Sequence, residues 1–263
     1  AAGANRHGEQ ARVVSTFSPR VWEAGVHRPE LSIATSFDYS IPIEEQLVLI
    51  AAAGFTHISL GHDATHSGYL SKEGRDVLRS LLRESALRID TIHGPRADAP
   101  GGSQLLTDVV EAAADLGASV VVIHAGRFDF GAEQLPSRLE ALLDVCECLE
   151  PGLERTGVVL ALENVMPGPA TDLVRLALQR LDSQYFGFCY DSAHDQIGGP
   201  RPFDLLAQLA GRLRAVHLND RARDFVDHLI LGEGFIDWPT LCALIQASAF
   251  TGPLALEVDT RHS

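Results

Sequence analysis

The stretch Val158-Val159-Leu160-Ala161-Leu162-Glu163-Asn164 decides how the rest of the chain is read. Five apolar residues run without alternation into a glutamate. An uninterrupted run of this kind reads as a strand covered on both faces, as in a parallel sheet packed under helices. A carboxylate at its end is then out of place, because burying it unpaired costs several kcal/mol or forces protonation. Glu163 therefore asks for a partner.

The same design recurs along the chain. Strands are expected at Leu31–Phe37, Phe55–Leu60, Arg88–His93, Ser119–His124, Val158–Glu163, Phe186–Asp191, Arg214–Leu218 and Leu254–Val258. Between them lie amphipathic stretches that predict helices: Ile43–Ala53, Lys72–Ser85, Gln104–Leu116, Leu135–Leu153, Asp172–Leu181, Phe203–Leu213 and Trp238–Ser248. Gly54, Gly117 and Gly157 stand where three of these helices should stop. Eight strand-then-helix cycles predict an α/β chain folded as one (β/α)₈ TIM barrel over residues 31–263, preceded by an N-terminal arm over 1–30. An open doubly wound sheet is the runner-up, but no glycine-rich phosphate loop follows the first strand.

Strand ends carry the chemistry. The third strand ends at His93, the fourth at His124, the fifth at Glu163 and the sixth at Asp191, with His194 three residues on. The seventh carries His217 and the eighth Glu257. In a barrel these ends converge on one mouth. Residues two apart share a face of a strand. Thr91, Ala161, Cys189, Ala215 and Ala255 precede the candidates by two, so the candidates face the lumen above a floor of small side chains. The opposite parity is bulkier: Ile92, Leu162, Tyr190, Val216 and Leu256. His62 falls on the outward parity and reads as a loop histidine near the mouth. Three carboxylates aimed into one lumen repel one another, and a divalent cation removes the conflict. Glu163, Asp191, His217 and Glu257 form an oxygen-rich set suited to Mn, Mg, Co or Zn. The extra histidines His93, His124, His194 and His228 favour zinc and leave room for a second ion.

Bulk properties narrow the partners. The 263 residues carry a net charge of −14, which argues against nucleic acid, whose binding needs a basic surface. No apolar run reaches the length of a membrane span. Cys146, Cys148, Cys189 and Cys242 lack zinc-finger spacing and read as free thiols of a cytoplasmic protein. Nothing locates an interface, although barrels of this type pair through their helices and a homodimer fits that habit.

In the motifs Leu162-Glu163-Asn164, Asp191-Ser192-Ala193-His194, His217-Leu218-Asn219-Asp220, Gly232-Glu233-Gly234 and the final Glu257, the chain resembles the xylose-isomerase-like TIM-barrel superfamily. That group includes sugar-phosphate isomerases and epimerases, ketose 3-epimerases and the endonuclease IV branch. The resemblance to ketose epimerases implies metal ligation by Glu163, Asp191, His217 and Glu257, with the two glutamates as a proton-transfer pair. It also implies substrate contacts from His194 and Arg223. It departs at Pro169, where some epimerases place a substrate-contacting Glu. Resemblance to the endonuclease IV branch implies zinc ligation by His93, His124, Glu163, Asp191, His194, His217, His228 and Glu257. The ninth ligand of that branch, an Asp two before His228, is replaced by Val226, and Asp227 lies one residue off.

These implications lead first to a metal-dependent isomerase or epimerase of a small sugar or sugar-like hydroxycarbonyl. In that reading protons move between Glu163 and Glu257 by way of a metal-stabilised enediolate. His194, His93 and His62 would contact substrate, and Arg223, Arg221 and Arg127 would hold an anionic group. The alternatives are a zinc phosphoester hydrolase, or a barrel that cleaves or binds keto-sugars.

Overall fold

The computed structural model describes residues 29–223 and 226–260. Eight parallel strands close into a barrel in chain order, each hydrogen-bonded to the next and the last to the first. The strands are β1 Leu31–Ala34, β2 His57–Leu60, β3 Arg88–His93, β4 Val120–His124, β5 Val159–Glu163, β6 Phe186–Asp191, β7 Leu213–Leu218 and β8 Leu254–Leu256. The helices are α1 Ile43–Ala52, α2 Ala64–Ser67, α3 Lys72–Ser85, α4 Gly102–Leu116, α5 Leu135–Thr156, α6 Pro169–Arg180, α7 Ser192–Asp195, α8 Asp204–Leu209 and α9 Trp238–Ala247. The expected (β/α)₈ barrel is thus the fold. The arm expected over residues 1–30 lies, except for Pro29 and Glu30, outside the described residues.

Local signals explain the boundaries. Ser71 starts α3 by accepting from the Gly74 N–H at 3.0 Å. Gly157 ends α5 with φ of 74°, a left-handed turn that a glycine enters without a Cβ clash. Strand ends differ from the sequence reading by a few residues. The chain after Ala34 tightens into a 3₁₀ turn, Thr35–Phe37, where strand had been expected. Glu257 lies one residue past β8, although its N–H still reaches the Leu218 carbonyl at 3.1 Å. The one-turn helices α2 and α7 were not anticipated, being too short to leave a periodic pattern.

Side chains partition as the parity argument requires. Outward residues such as Ile58, Leu60, Ile92, Leu162, Phe188 and Val216 pack with the helices in the main core. Val120, Val122, Ala161, Cys189 and Ala215 form a separate small cluster filling the lumen. Two β-bulges modify the rule. On β3, Ile58 pairs with Ile89 and Ser59 with Thr91, so Asp90 is extra. On β7, Phe188 pairs with Leu213 and Cys189 with Ala215, so Arg214 is extra. Ile89 and Leu213 therefore join the helix-facing core, while Thr91 and Ala215, two residues on, face the lumen.

Candidate metal centre and cavity

The strand ends deliver their side chains to one place. Donor atoms of Glu163, Asp191, His217 and Glu257 all lie within 4.8 Å of one another. Glu163 is fully buried at the end of β5. Its Oε2 stands 3.2 Å from His93 Nε2, 3.5 Å from His124 Nε2 and 3.3 Å from His217 Nδ1. Its Oε1 stands 3.1 Å from His194 Nδ1. Across the lumen, Glu257 Oε2 approaches His217 Nδ1 at 3.0 Å. A second group, His93, Glu163 and His217, also meets at coordination spacing and shares Glu163 and His217 with the first.

Two asparagines hold this arrangement. Asn164 clamps the Asp191 backbone, donating to its carbonyl and accepting from its N–H, each at 2.9 Å. Asn219 donates to Asp191 Oδ2 at 2.8 Å. The other Asp191 oxygen caps α7 by accepting the His194 N–H at 2.6 Å. The sequence reading quoted both asparagines within motifs and gave them no task. Their signal was their place beside a buried ligand, where a neutral donor can fix a carboxylate without adding charge.

The electrostatics show what the group lacks. Burial alone would raise all three carboxyls. Against it, the imidazoles of His217 and His124 hold Glu163 well below the ordinary carboxylate range. Glu257 is lowered despite burial, chiefly by His217. Asp191, buried and facing Glu163 and Glu257, is raised. Burial disfavours an imidazolium at His194, yet Asp191 and Glu163 outweigh it and push that ring up to about 10. Burial disfavours the His217 imidazolium, yet Cys189, Glu257 and Glu163 beside it raise that ring well above its usual value. The carboxylates thus favour positive charge at this point of the lumen. Glu163 Oε1 and both nitrogens of His217 are buried without a well-aligned hydrogen bond, although Oε1 pairs with His194 and Nδ1 with Glu257. Buried lone pairs left poorly directed in this way, in an oxygen-rich set, are what a divalent cation satisfies.

Above the group opens a cavity of about 830 Å³, lined by Glu163, Glu257, His93, His124, His194, His228 and His62. Phe37, Tyr39 and Phe128 supply aromatic walls, and Asp38, Arg96, Asp259 and Thr260 lie at its rim. His62 is exposed, with its Nδ1 3.3 Å from the Tyr39 hydroxyl and its ring 6.2 Å from that of His93. Arg223 is exposed and is not among the lining residues. Arg127 is tied to Asp129 at 2.6 Å, and Arg221 to Asp227 at 2.5 Å. His124, His194 and His228 stand at the cavity wall outside the two donor groups.

Comparison with known proteins agrees with the fold. Residues 47–262 match the family described as xylose isomerase-like TIM barrel. Among curated sequences, the uncharacterized protein y4fM of Sinorhizobium fredii is 26% identical, covering 83% of this chain and 82% of its own length. The 3-keto-D-glucoside 4-epimerase YcjR from E. coli superposes with a TM-score of 0.73 at 17% identity, covering 89% of this chain and 93% of its own. The IOLI protein, solved with a bound zinc atom, superposes with a TM-score of 0.69 at 18% identity, covering 87% and 88%. The barrel, its strand-end ligand geometry and the match across most of its length place this chain in the xylose isomerase-like TIM barrel family.

Proposed function

We propose that the protein is a divalent-metal-dependent isomerase or epimerase acting on a small sugar or sugar-like hydroxycarbonyl. The observation that carries this reading is the convergence of Glu163, Asp191, His217 and Glu257 on one point at the floor of an 830 Å³ cavity. Those four residues would hold the ion. A cation bound there supplies Lewis acidity, polarising a carbonyl and stabilising the charge that develops when the neighbouring carbon loses its proton.

The chain's own residues supply the rest. Glu163 arrives on β5 and Glu257 just after β8, so the two carboxylates reach a ligand from different sides of the lumen. One takes the carbon-bound proton and the other returns one. His194 Nδ1 faces the Asn164 carbonyl at 3.0 Å, which turns its other nitrogen to an oxygen of the substrate. His93 donates from Nδ1 to the Gly94 carbonyl at 3.0 Å and directs Nε2 at Glu163, orienting the base. The aromatic walls exclude water from the reacting carbon and pack on the apolar face of a sugar ring.

A second reading is a zinc phosphoester hydrolase. The second donor group, His93, Glu163 and His217, favours it, because it adds His93 to Glu163 and His217, which it has in common with the first.

The deciding experiment incubates the metal-loaded protein with neutral ketohexoses in deuterated water and follows C–H exchange by NMR. Exchange that disappears in Glu163→Gln while the fold persists supports the isomerase. Unchanged exchange in that variant rejects its role as base. Phosphodiester hydrolysis with two ions per chain, and no exchange, selects the hydrolase.

A further inference from the structure

The loop between β7 and α9 brings a second constellation to the same mouth. Arg221 is 3% exposed. It donates from Nε to the Ala193 carbonyl at 2.8 Å and from Nη2 to Asp227 Oδ2 at 2.5 Å. The other oxygen of Asp227 lies 3.2 Å from His228 Nδ1. His228 lines the cavity and stands edge-on to His194, with ring centroids 6.0 Å apart.

His228 has φ of 57°, in the left-handed region that non-glycine residues seldom occupy. Such strain persists where the surroundings over-determine it, and it concentrates at functional positions. Here the surroundings are explicit. The His228 N–H donates to Asn219 Oδ1 at 3.3 Å, and its carbonyl accepts from the Asp259 N–H at 2.9 Å. Asn219 is the residue that also grips Asp191.

This geometry bears on what His228 is for. With Nδ1 engaged by Asp227, only Nε2 is left to address the cavity. His228 is absent from both donor groups at the floor. Asp227 occupies the place next to a zinc-ligand position of the endonuclease IV pattern, yet its carboxylate is spent on Arg221 and His228. A buried guanidinium holding a carboxylate that in turn holds an imidazole fixes both the tautomer and the plane of that ring.

We propose that Arg221, Asp227 and His228 form a substrate-orienting chain separate from the metal centre. Arg221 and Asp227 are positioning residues, and His228 presents Nε2 to a substrate hydroxyl. Arg221 is anchored on Ala193, one residue before His194, so the chain also sets the spacing between the two cavity histidines. The inference rests on the proposed sugar chemistry for its ligand, and on geometry alone for its independence of the metal.

Three measurements test it, the titration on metal-free protein and the other two on the loaded protein. Nitrogen-15 NMR should show, among the imidazoles with Nδ1–H, a ring assigned by its loss in His228→Gln that loses this preference in Asp227→Asn and regains it in Asp227→Glu. Manganese titration of His228→Gln and Asp227→Asn should give wild-type affinity within about twofold. With a ketohexose that the wild type exchanges, Asp227→Asn should raise KM about tenfold, with kcat changing less, the signature of one lost binding contact. Weakened manganese binding in His228→Gln, or a tautomer or KM indifferent to Asp227→Asn, overturns the proposal. If the wild type exchanges no sugar, the isomerase reading fails, while the NMR and manganese measurements still decide whether the chain is built as stated.

Discussion

His217 Nδ1 lies 3.3 Å from Glu163 Oε2 and 3.0 Å from Glu257 Oε2, joining β7 to both glutamates, and neither nitrogen of that ring makes a well-aligned hydrogen bond. A fully buried imidazole held only by ion pairs of this kind is costly unless something else satisfies it. The first expectation follows. Purified protein should bind a divalent cation at the four-residue group, and Asp191→Asn or His217→Ala should weaken that binding by at least about tenfold. The cation should stabilise the fold by about 2.7 kcal/mol at a concentration one hundred times its dissociation constant. Thermal melts with and without chelator check both.

The pH dependence of that binding has a definite sign. Burial disfavours a protonated His217, yet Cys189, Glu257 and Glu163 around it outweigh burial and raise its pKa. A metal ligand must be the neutral imidazole, so cation uptake releases protons. Affinity should fall as pH is lowered, and calorimetry in buffers of different ionisation enthalpy should count protons released. Uptake of protons on binding would contradict the ligand set.

Glu163→Gln and Glu257→Gln should each reduce catalysed C–H exchange by about 10²–10⁴-fold, the usual worth of a positioned acid or base. Both should stay folded, because glutamine keeps the size and shape of the side chain it replaces. Circular dichroism together with exchange rates would separate loss of chemistry from loss of structure.

Asp90, the extra residue of the β3 bulge, offers a stability test. Burial pushes its carboxyl up to about 7 from the ordinary 3.8. A raised acid binds its proton more tightly when folded. Its contribution is therefore present at low pH and is lost as pH climbs from about 4 to about 7. Asp90→Asn should gain about 1–3 kcal/mol relative to wild type between pH 4 and pH 8. Urea midpoints across that window measure the difference, and a flat difference would show that Asp90 is solvated.

Asp220 organises the loop that carries Arg221 and His228. It accepts from the backbone N–H groups of Arg221, Gly232 and Ile236 and from Trp238 Nε1, the shortest at 2.8 Å. Asp220→Ala strands four donors and should cost about 3 kcal/mol. Gly234→Ala should be comparably damaging, since its Cβ would collide with the Asp220 carboxylate and the Arg221 backbone. Trp238 fluorescence during denaturation reports on both.

The barrel and its floor were legible because a parallel strand buried on both faces tolerates few polar residues. Glu163, Asp191 and His217 therefore stood out, and strand parity aimed them at the lumen. What escaped the sequence were features that parity cannot see. The bulges at Asp90 and Arg214 break the two-residue period that the argument assumed. Asn164 and Asn219 act through hydrogen bonds whose partners lie on neighbouring strands. Arg223 was expected to turn toward the substrate, while the structure buries Arg221, two residues earlier, and leaves Arg223 exposed. Spacing places such loop residues near the mouth, but direction depends on a turn held together by Asp220.

The paired bulges have a mechanical consequence. Each inserts one residue between the foot of a strand and its rim, so the two ends are locked in a phase shifted by half a period. Ile89 and Leu213 can anchor the feet of β3 and β7 against the helices while His93 and His217 at the rims still point inward. Removing either extra residue would turn one end of its strand inside out.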